Sequence, residues 1–193
     1  MTQHSSARIE PYDRARHGDG PWRVVAAVFE EFGFPFVAFD YDADLREPER
    51  WYPPERGGLA VALDDTGMVV GCVALEGTPG ATFELHRLYV LARARRQGLG
   101  EALVRWALGR ARELGAKSVL AFSDIAFVDA HRLYERLGFR RFRFRYAPDP
   151  WQSREWGFRL DVEAYSQAAS PTAIACDAES RCSLLNTSTR NTS

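Results

Sequence analysis

Apolar residues follow two rhythms along this chain. The helical one, with spacings of three and four, appears three times. Trp22, Val25, Ala26, Val28, Phe29 and Phe32 form a stripe after Pro21 and predict a helix over Trp22–Phe32. Leu99, Ala102, Leu103, Trp106, Ala107, Arg110 and Leu114 predict the strongest helix, stopped by Gly115. A third helix spans Val128–Leu137 and ends at Gly138. The other rhythm is that of strands. Leu59–Leu63 and Met68–Leu75 are Val-rich runs around Asp64-Asp65-Thr66-Gly67, a hairpin signal. Ala81–Leu91 follows a Thr78-Pro79-Gly80 turn, and Val119–Phe122 is a short buried strand. Phe139–Tyr146 alternates Phe142, Phe144 and Tyr146 with Arg141, Arg143 and Arg145, so it reads as a strand with one buried face. Arg8–Tyr12 opens the set and Trp156–Val162 closes it, while Asp40–Tyr52 is acidic and irregular.

This order predicts an α/β fold: one mixed sheet with an antiparallel front half, a βαβ back half and helices on both faces. With 193 residues, 46% hydrophobic and 26% charged, the chain suits a single domain, placed at residues 1–165. Ser166–Ser193 is rich in Ser, Thr, Ala and Asn and is expected to be disordered. No apolar run approaches the ~20 residues of a membrane span, and the polar Met1–Arg8 lacks an apolar signal core, so the expectation is a cytoplasmic protein without membrane contact. Cys72, Cys176 and Cys182 form no framework, and Cys72 reads as a small core residue. His4, His17, His86 and His131 show no ligand spacing, so no metal is expected.

Charge changes the picture more than composition does. Met1–His86 holds 7 basic and 15 acidic residues, whereas Arg87–Tyr146 holds 14 basic and 5 acidic. Such polarity suits a site with one anionic and one cationic ligand. Within the basic part, the strand Glu84-Leu85-His86-Arg87-Leu88-Tyr89-Val90 feeds the turn Arg95-Arg96-Gln97-Gly98-Leu99-Gly100 and then the long helix. The first amides of a helix lack internal acceptors and carry the positive end of its dipole. Two glycines there let a phosphate approach, and Arg93, Arg95 and Arg96 supply countercharge. The Rossmann fingerprint is excluded because Leu103 stands where it needs its third glycine, and the P-loop because Glu101 follows Gly100.

Leu88-Tyr89-Val90 with Arg95-x-x-Gly98-x-Gly100, followed by Ala130-His131-Arg132-Leu133-Tyr134-Glu135-Arg136-Leu137-Gly138-Phe139, resembles the GNAT superfamily of acyl-CoA-dependent N-acyltransferases over about Arg8–Leu160. The resemblance implies acetyl-CoA as co-substrate, with the stretch Arg95, Arg96, Gln97, Gly98, Leu99, Gly100 and Glu101 binding it. The backbone amides from Gln97 to Glu101 would hold the pyrophosphate, and main-chain groups of Leu88 and Val90 the pantetheine arm. It also implies Tyr134 as the group at the thioester sulfur and Glu84 as the base. In one respect the chain departs from the family: Phe127 stands seven residues before Tyr134, where an asparagine is frequent.

The chemistry accounts for these residue types. A lysine-like amine has a pKa of ~10.4, so freeing it of its proton at neutral pH costs about 4.6 kcal/mol. Glu84 and His86 share one strand face and could take that proton, with Glu84 preferred on the family pattern. A phenol at ~10 is about 2 kcal/mol too weak an acid to protonate a thiolate at ~8.5. Tyr134 is therefore better read as a donor that steadies the developing thiolate. The carboxylates of Asp40–Glu49 suggest a rim for a cationic acceptor. The reading is an N-acetyltransferase acting on a primary amine of a small molecule or peptide. A catalytically silent acyl-CoA sensor is the alternative, and a homodimer is left open. Nucleic acid is not an expected partner, since Arg141, Arg143 and Arg145 sit in a strand and no nucleic-acid motif accompanies them.

Overall fold

The computed structural model describes residues 8–37, 42–149 and 151–168. Strand β1 (Arg8–Pro11) leads through a one-turn helix α1 (Arg14–His17) into α2 (Gly20–Phe32). Pro21 sits in the first turn of α2, where its missing N–H costs nothing, and Gly33 ends the helix in the left-handed region. A 3-10 turn (Ala43–Leu45) and a one-turn helix α3 (Pro48–Trp51) follow. Then come β2 (Gly57–Leu63), β3 (Val69–Thr78), β4 (Thr82–Val90), α4 (Leu99–Glu113), β5 (Ser118–Asp124), α5 (Val128–Arg136), β6 (Arg140–Tyr146), β7 (Arg154–Asp161) and α6 (Val162–Ala168). The tail expected from residue 166 lies outside the described residues from 169 onward; α6 runs to Ala168.

One seven-stranded sheet has the order β1-β2-β3-β4-β5-β7-β6. Neighbours are antiparallel except β4 and β5, which the α4 crossover makes parallel. The antiparallel front half, the βαβ unit and the helices on both faces are as the sequence predicts. On one face α4 and α5 bury Leu103, Val104, Ala107, Leu108 and Leu133 against Val73, Leu85, Val119 and Phe158. On the other, α2 buries Val24, Val25 and Phe29 against Val61, Cys72 and Ala74. Cys72 is a core residue, and burial pushes its thiol up to about 12.

One expectation is corrected. β6 has no buried face: Phe142, Phe144 and Tyr146 are 46%, 42% and 62% exposed. The reason is topological. β7 comes later in the chain but inserts between β5 and β6, which leaves β6 at the margin of the sheet. A bulge between Arg141 and Arg143 also breaks the alternation. Arg141 and Phe144 share the face of Phe158 and Trp156, their partners in register, while Arg143 and Arg145 turn to the opposite face.

Candidate active site

β4 changes direction at Arg87 and Leu88. Between the pairs Cys72↔Tyr89 and Ala74↔His86, β4 has two residues where β3 has one. Arg87 takes up the irregularity with φ +51°, costly for a residue with a side chain. Pairing to β5 ends just before this bulge, at Leu85↔Ala121. Beyond it the parallel strands part, and among the described residues no strand pairs there with the outer edge of β4. Leu91 donates its N–H to Val70 on the β3 side, so by alternation Leu88 and Val90 present their main-chain groups to the gap. The Val90 carbonyl accepts a bond from Arg95 Nε at 2.8 Å.

A cleft of about 600 Å³ fills this gap, lined by Leu88, Val90, Arg96, Gly98, Gly100 and Phe127 among others. Its basic end is the start of α4. The first bond within that helix runs from the Ala102 N–H to the Gly98 carbonyl at 3.0 Å, so the amides of Gly98 to Glu101 precede it and have no intrahelical acceptor. Gly98 is the cap residue at φ +82° and has no neighbour near its missing Cβ, so backbone conformation is what requires glycine there. Gly100 answers a different need: a Cβ would come within 3.3 Å of Leu133, so its absence lets α4 and α5 approach. Leu99 is buried in the core and also lines the cleft.

The predicted binding residues are thus brought together, though not in equal roles. Arg96 and Glu101 line the cleft, with Glu101 paired to Arg105 at 2.8 Å. Arg95 lines it too, but its guanidinium grips Glu31 through two bonds of 2.6 Å. Gln97 lies apart, beside Asp64 and Arg93 in a smaller hollow. No sequence signal linked Arg95 to Glu31, because the pair spans 64 residues. Phe127 packs on Phe32, Phe34 and Tyr89, with ring centroids 4.8–5.8 Å apart, and makes this wall of the cleft aromatic.

Tyr134 is placed by the way α5 ends. The Phe139 N–H bonds the Tyr134 carbonyl at 3.0 Å, the Gly138 N–H bonds that of Glu135 at 3.1 Å, and Gly138 has φ +94°. This is a Schellman stop, whose apolar contact joins the third residue from the helix end to the second beyond it. Here those two are Tyr134 and Phe139, with rings 5.3 Å apart. The Gly-Phe of the motif is therefore the device that locks the tyrosine. Tyr134 is 3% exposed, its hydroxyl makes no hydrogen bond among the described residues, and burial together with the nearby Tyr89 raises its pKa.

Glu84 lies on the face that α2 covers, at the last paired stretch of β4 and outside the cleft lining. Burial raises its pKa, the Arg145 and Arg143 guanidinia oppose the rise, and the Glu155 and Glu76 carboxylates add to it. His86 sits between Glu84 and Glu76, with ring nitrogens 3.9 and 3.8 Å from their carboxylates. Burial lowers its pKa to about 4, which makes it a weak base. Three carboxylates of the acidic segment are engaged in ion pairs. Asp42 and Asp44 are buried and hold Arg87 at 2.7 and 2.6 Å, Tyr52 donates to Asp44 at 2.6 Å, and Glu49 pairs with Arg14 at 2.8 Å. Asp40 lies outside the described residues.

Comparison with known proteins agrees with this geometry. Residues 25–139 match the model of the acetyltransferase (GNAT) family. An uncharacterised N-acetyltransferase of Schizosaccharomyces pombe is 34% identical over 119 residues, 61% of this chain and 72% of its own length. A GNAT-family acetyltransferase of Staphylococcus aureus superposes with a TM-score of 0.71 at 17% identity, over 81% of this chain and 99% of its own. An acetyltransferase of Salmonella typhimurium, solved with its cofactor acetyl-CoA, does so at 0.61 and 19%, over 82% and 95%. A family match that spans both motifs, on a sheet that parts at the bulge of β4, makes this chain a member of the GNAT family of acyl-CoA N-acetyltransferases, and so an acyltransferase.

Proposed function

We propose that the chain transfers an acetyl group from acetyl-CoA to a primary amine of a small molecule or peptide by direct attack of the amine on the thioester. One observation carries this reading: a cleft floored by four amides at the start of α4 that no helical carbonyl uses, opening beside the edge of β4 that β5 leaves unpaired. Those amides and Arg96 hold the pyrophosphate, and Leu88 and Val90 bond the pantetheine arm. With Phe127 in place of a polar side chain, the arm gains apolar contact on that wall instead of a hydrogen bond. The nitrogen forms its bond to the acyl carbon, the carbon–sulfur bond breaks, and the electron pair leaves on sulfur. Tyr134, kept protonated by its raised pKa, donates a hydrogen bond to that sulfur. Glu84 takes the proton from nitrogen through water, since it lies outside the cleft lining.

Calorimetry with coenzyme A tests the cradle. The wild type is expected to bind, and Gly98→Ala to bind at least tenfold more weakly, because a Cβ at φ +82° costs about 1–2 kcal/mol and displaces the amides. Equal binding by the variant, or none by the wild type, counts against the reading.

Glu84 carries a second prediction. Its pKa is raised in the folded state, so the ionised form weighs against folding as pH climbs through that value. Glu84→Gln removes this burden. The variant is expected to melt at a higher temperature than wild type at pH 8 and to lose the acid limb of its pH–rate profile, with kcat about tenfold to a hundredfold lower. An unchanged acid limb would remove Glu84 from the role of base.

A further inference from the structure

On the face that carries Glu84, two arginines are set where they do not belong by simple alternation. The bulge at Phe142 turns Arg143 and Arg145 away from the side of Phe158 and Trp156. Their side chains then reach back across β7 to Phe122 of β5, with guanidinium carbons 4.9 and 3.4 Å from its ring centroid. They can cross because residue 157 is glycine. A Cβ there would meet the Phe122 and Phe142 rings at 2.8 and 2.9 Å and the Arg143 stem at 3.2 Å. Bulges beside active sites commonly re-aim side chains in this manner.

The two arginines differ in their partners. Arg145 is neutralised by Glu155 at 2.7 Å. Arg143 makes no ion pair among the described residues, although its charge is felt at Glu84; its ring contacts are Phe122 and Phe142. Arg140 and Arg159, paired in register, belong to the same face and likewise have no acidic partner among the described residues. Three arginines of this face thus stand outside ion pairs among the described residues, whereas Asp42, Asp44 and Glu49 of the acidic stretch are paired with Arg87 and Arg14. Glu84 pairs with Leu120, two residues before Phe122 on β5. Ordinary strand spacing and rise put the Cα atoms of Glu84 and Phe122 about 8 Å apart. A small molecule spans that distance.

We propose that Arg143, seated on Phe122 by the bulge and by Gly157, binds an anionic group on the acceptor, so that the acceptor class is an amine bearing a carboxylate, phosphate or phosphonate. The inference rests on the acetyltransfer reading. It places the amine toward Glu84 and the anion on the guanidinium, whose planar donors match such groups. It replaces the cationic acceptor that charge patterning suggests.

The test compares matched acceptors with and without the anion: L-leucine against isopentylamine, and 2-aminoethylphosphonate against ethylamine, with acetyl-CoA and release of free thiol as the readout. At least one anionic member is expected to exceed its neutral partner at least tenfold in kcat/KM, and which pair does so separates carboxylate from phosphonate. Arg143→Met keeps a long stem on Phe122 and is expected to collapse that ratio tenfold, mainly through KM. Arg143→Lys is expected to retain part of it, and circular dichroism checks that both variants fold. A ratio near one in the wild type, a ratio untouched by Arg143→Met, or no turnover of either anionic amine while coenzyme A still binds overturns the proposal. Absence of coenzyme A binding overturns instead the acetyltransfer reading beneath it.

Discussion

Tyr134→Phe is expected to lower kcat about a hundredfold while leaving the dissociation constant of coenzyme A within a factor of two. The hydroxyl is the only group removed. It makes no hydrogen bond among the described residues, so no internal partner is orphaned and the fold has little reason to respond. The ring keeps its contacts with Phe139 and Phe158 at 5.3 and 5.2 Å. In the proposed role, what is lost is the hydrogen-bond donor to the developing thiolate. Loss of one such donor costs about 3–4 kcal/mol elsewhere, a factor of 10²–10³. The raised pKa has a consequence for the pH profile: a phenol held above its ordinary range stays protonated through the working region, so Tyr134 contributes no basic limb. Steady-state rates for wild type and variant between pH 6 and 10, with calorimetry of coenzyme A, decide the matter. A variant with undiminished kcat would reduce Tyr134 to a core residue.

Arg87→Met is expected to destabilise the protein strongly, because it strands buried charge. Asp42 is 0% exposed and Asp44 7%. The guanidinium of Arg87 meets Asp42 at 2.7 Å and Asp44 at 2.6 and 2.9 Å. Removing the cation leaves two buried carboxylates without it, and breaking a buried pair in this way costs about 3–5 kcal/mol. For a domain of this size each kcal/mol shifts the melting temperature by about 2–4 °C, so a fall of roughly 10 °C is expected in a thermal melt. Adding Asp44→Asn to the variant should recover part of the loss, because it removes one of the stranded charges. A fall under about 3 °C would mean that the pair contributes no more than a surface one. The lock also reaches the edge of the candidate site. It ties the 42–52 segment to the bulge residue of β4, and the gap between β4 and β5 starts there.

Much of this was legible beforehand because it is written in local physics. Period 3.6 over Leu99–Leu114, period 2 in the hairpin, and glycines after helices report burial and backbone freedom within one segment. The run from Arg95 to Gly100 and the Tyr134–Gly138–Phe139 ending are local as well: one is a helix start without an acceptor for its amides, the other a helix stop with its packing contact. Other features have no local signature. Arg95 could be read as countercharge but not as the partner of Glu31, and the acidic stretch could be read as a rim but not as the counterion of Arg87, which comes 43 to 45 residues later. Aromatic–arginine alternation in β6 predicted a buried face that a margin strand with a bulge does not have.

The amino-acid order by itself thus determined the element types, the family resemblance and the glycine-capped start of α4, since each depends on residues close together in the chain. Strand order, the parting of β4 from β5, the burial of Asp42 and Asp44, and the turning of Arg143 toward Phe122 were decided only in the folded chain. Each of these depends on which distant segment arrives alongside, and that follows from packing the whole sheet at once.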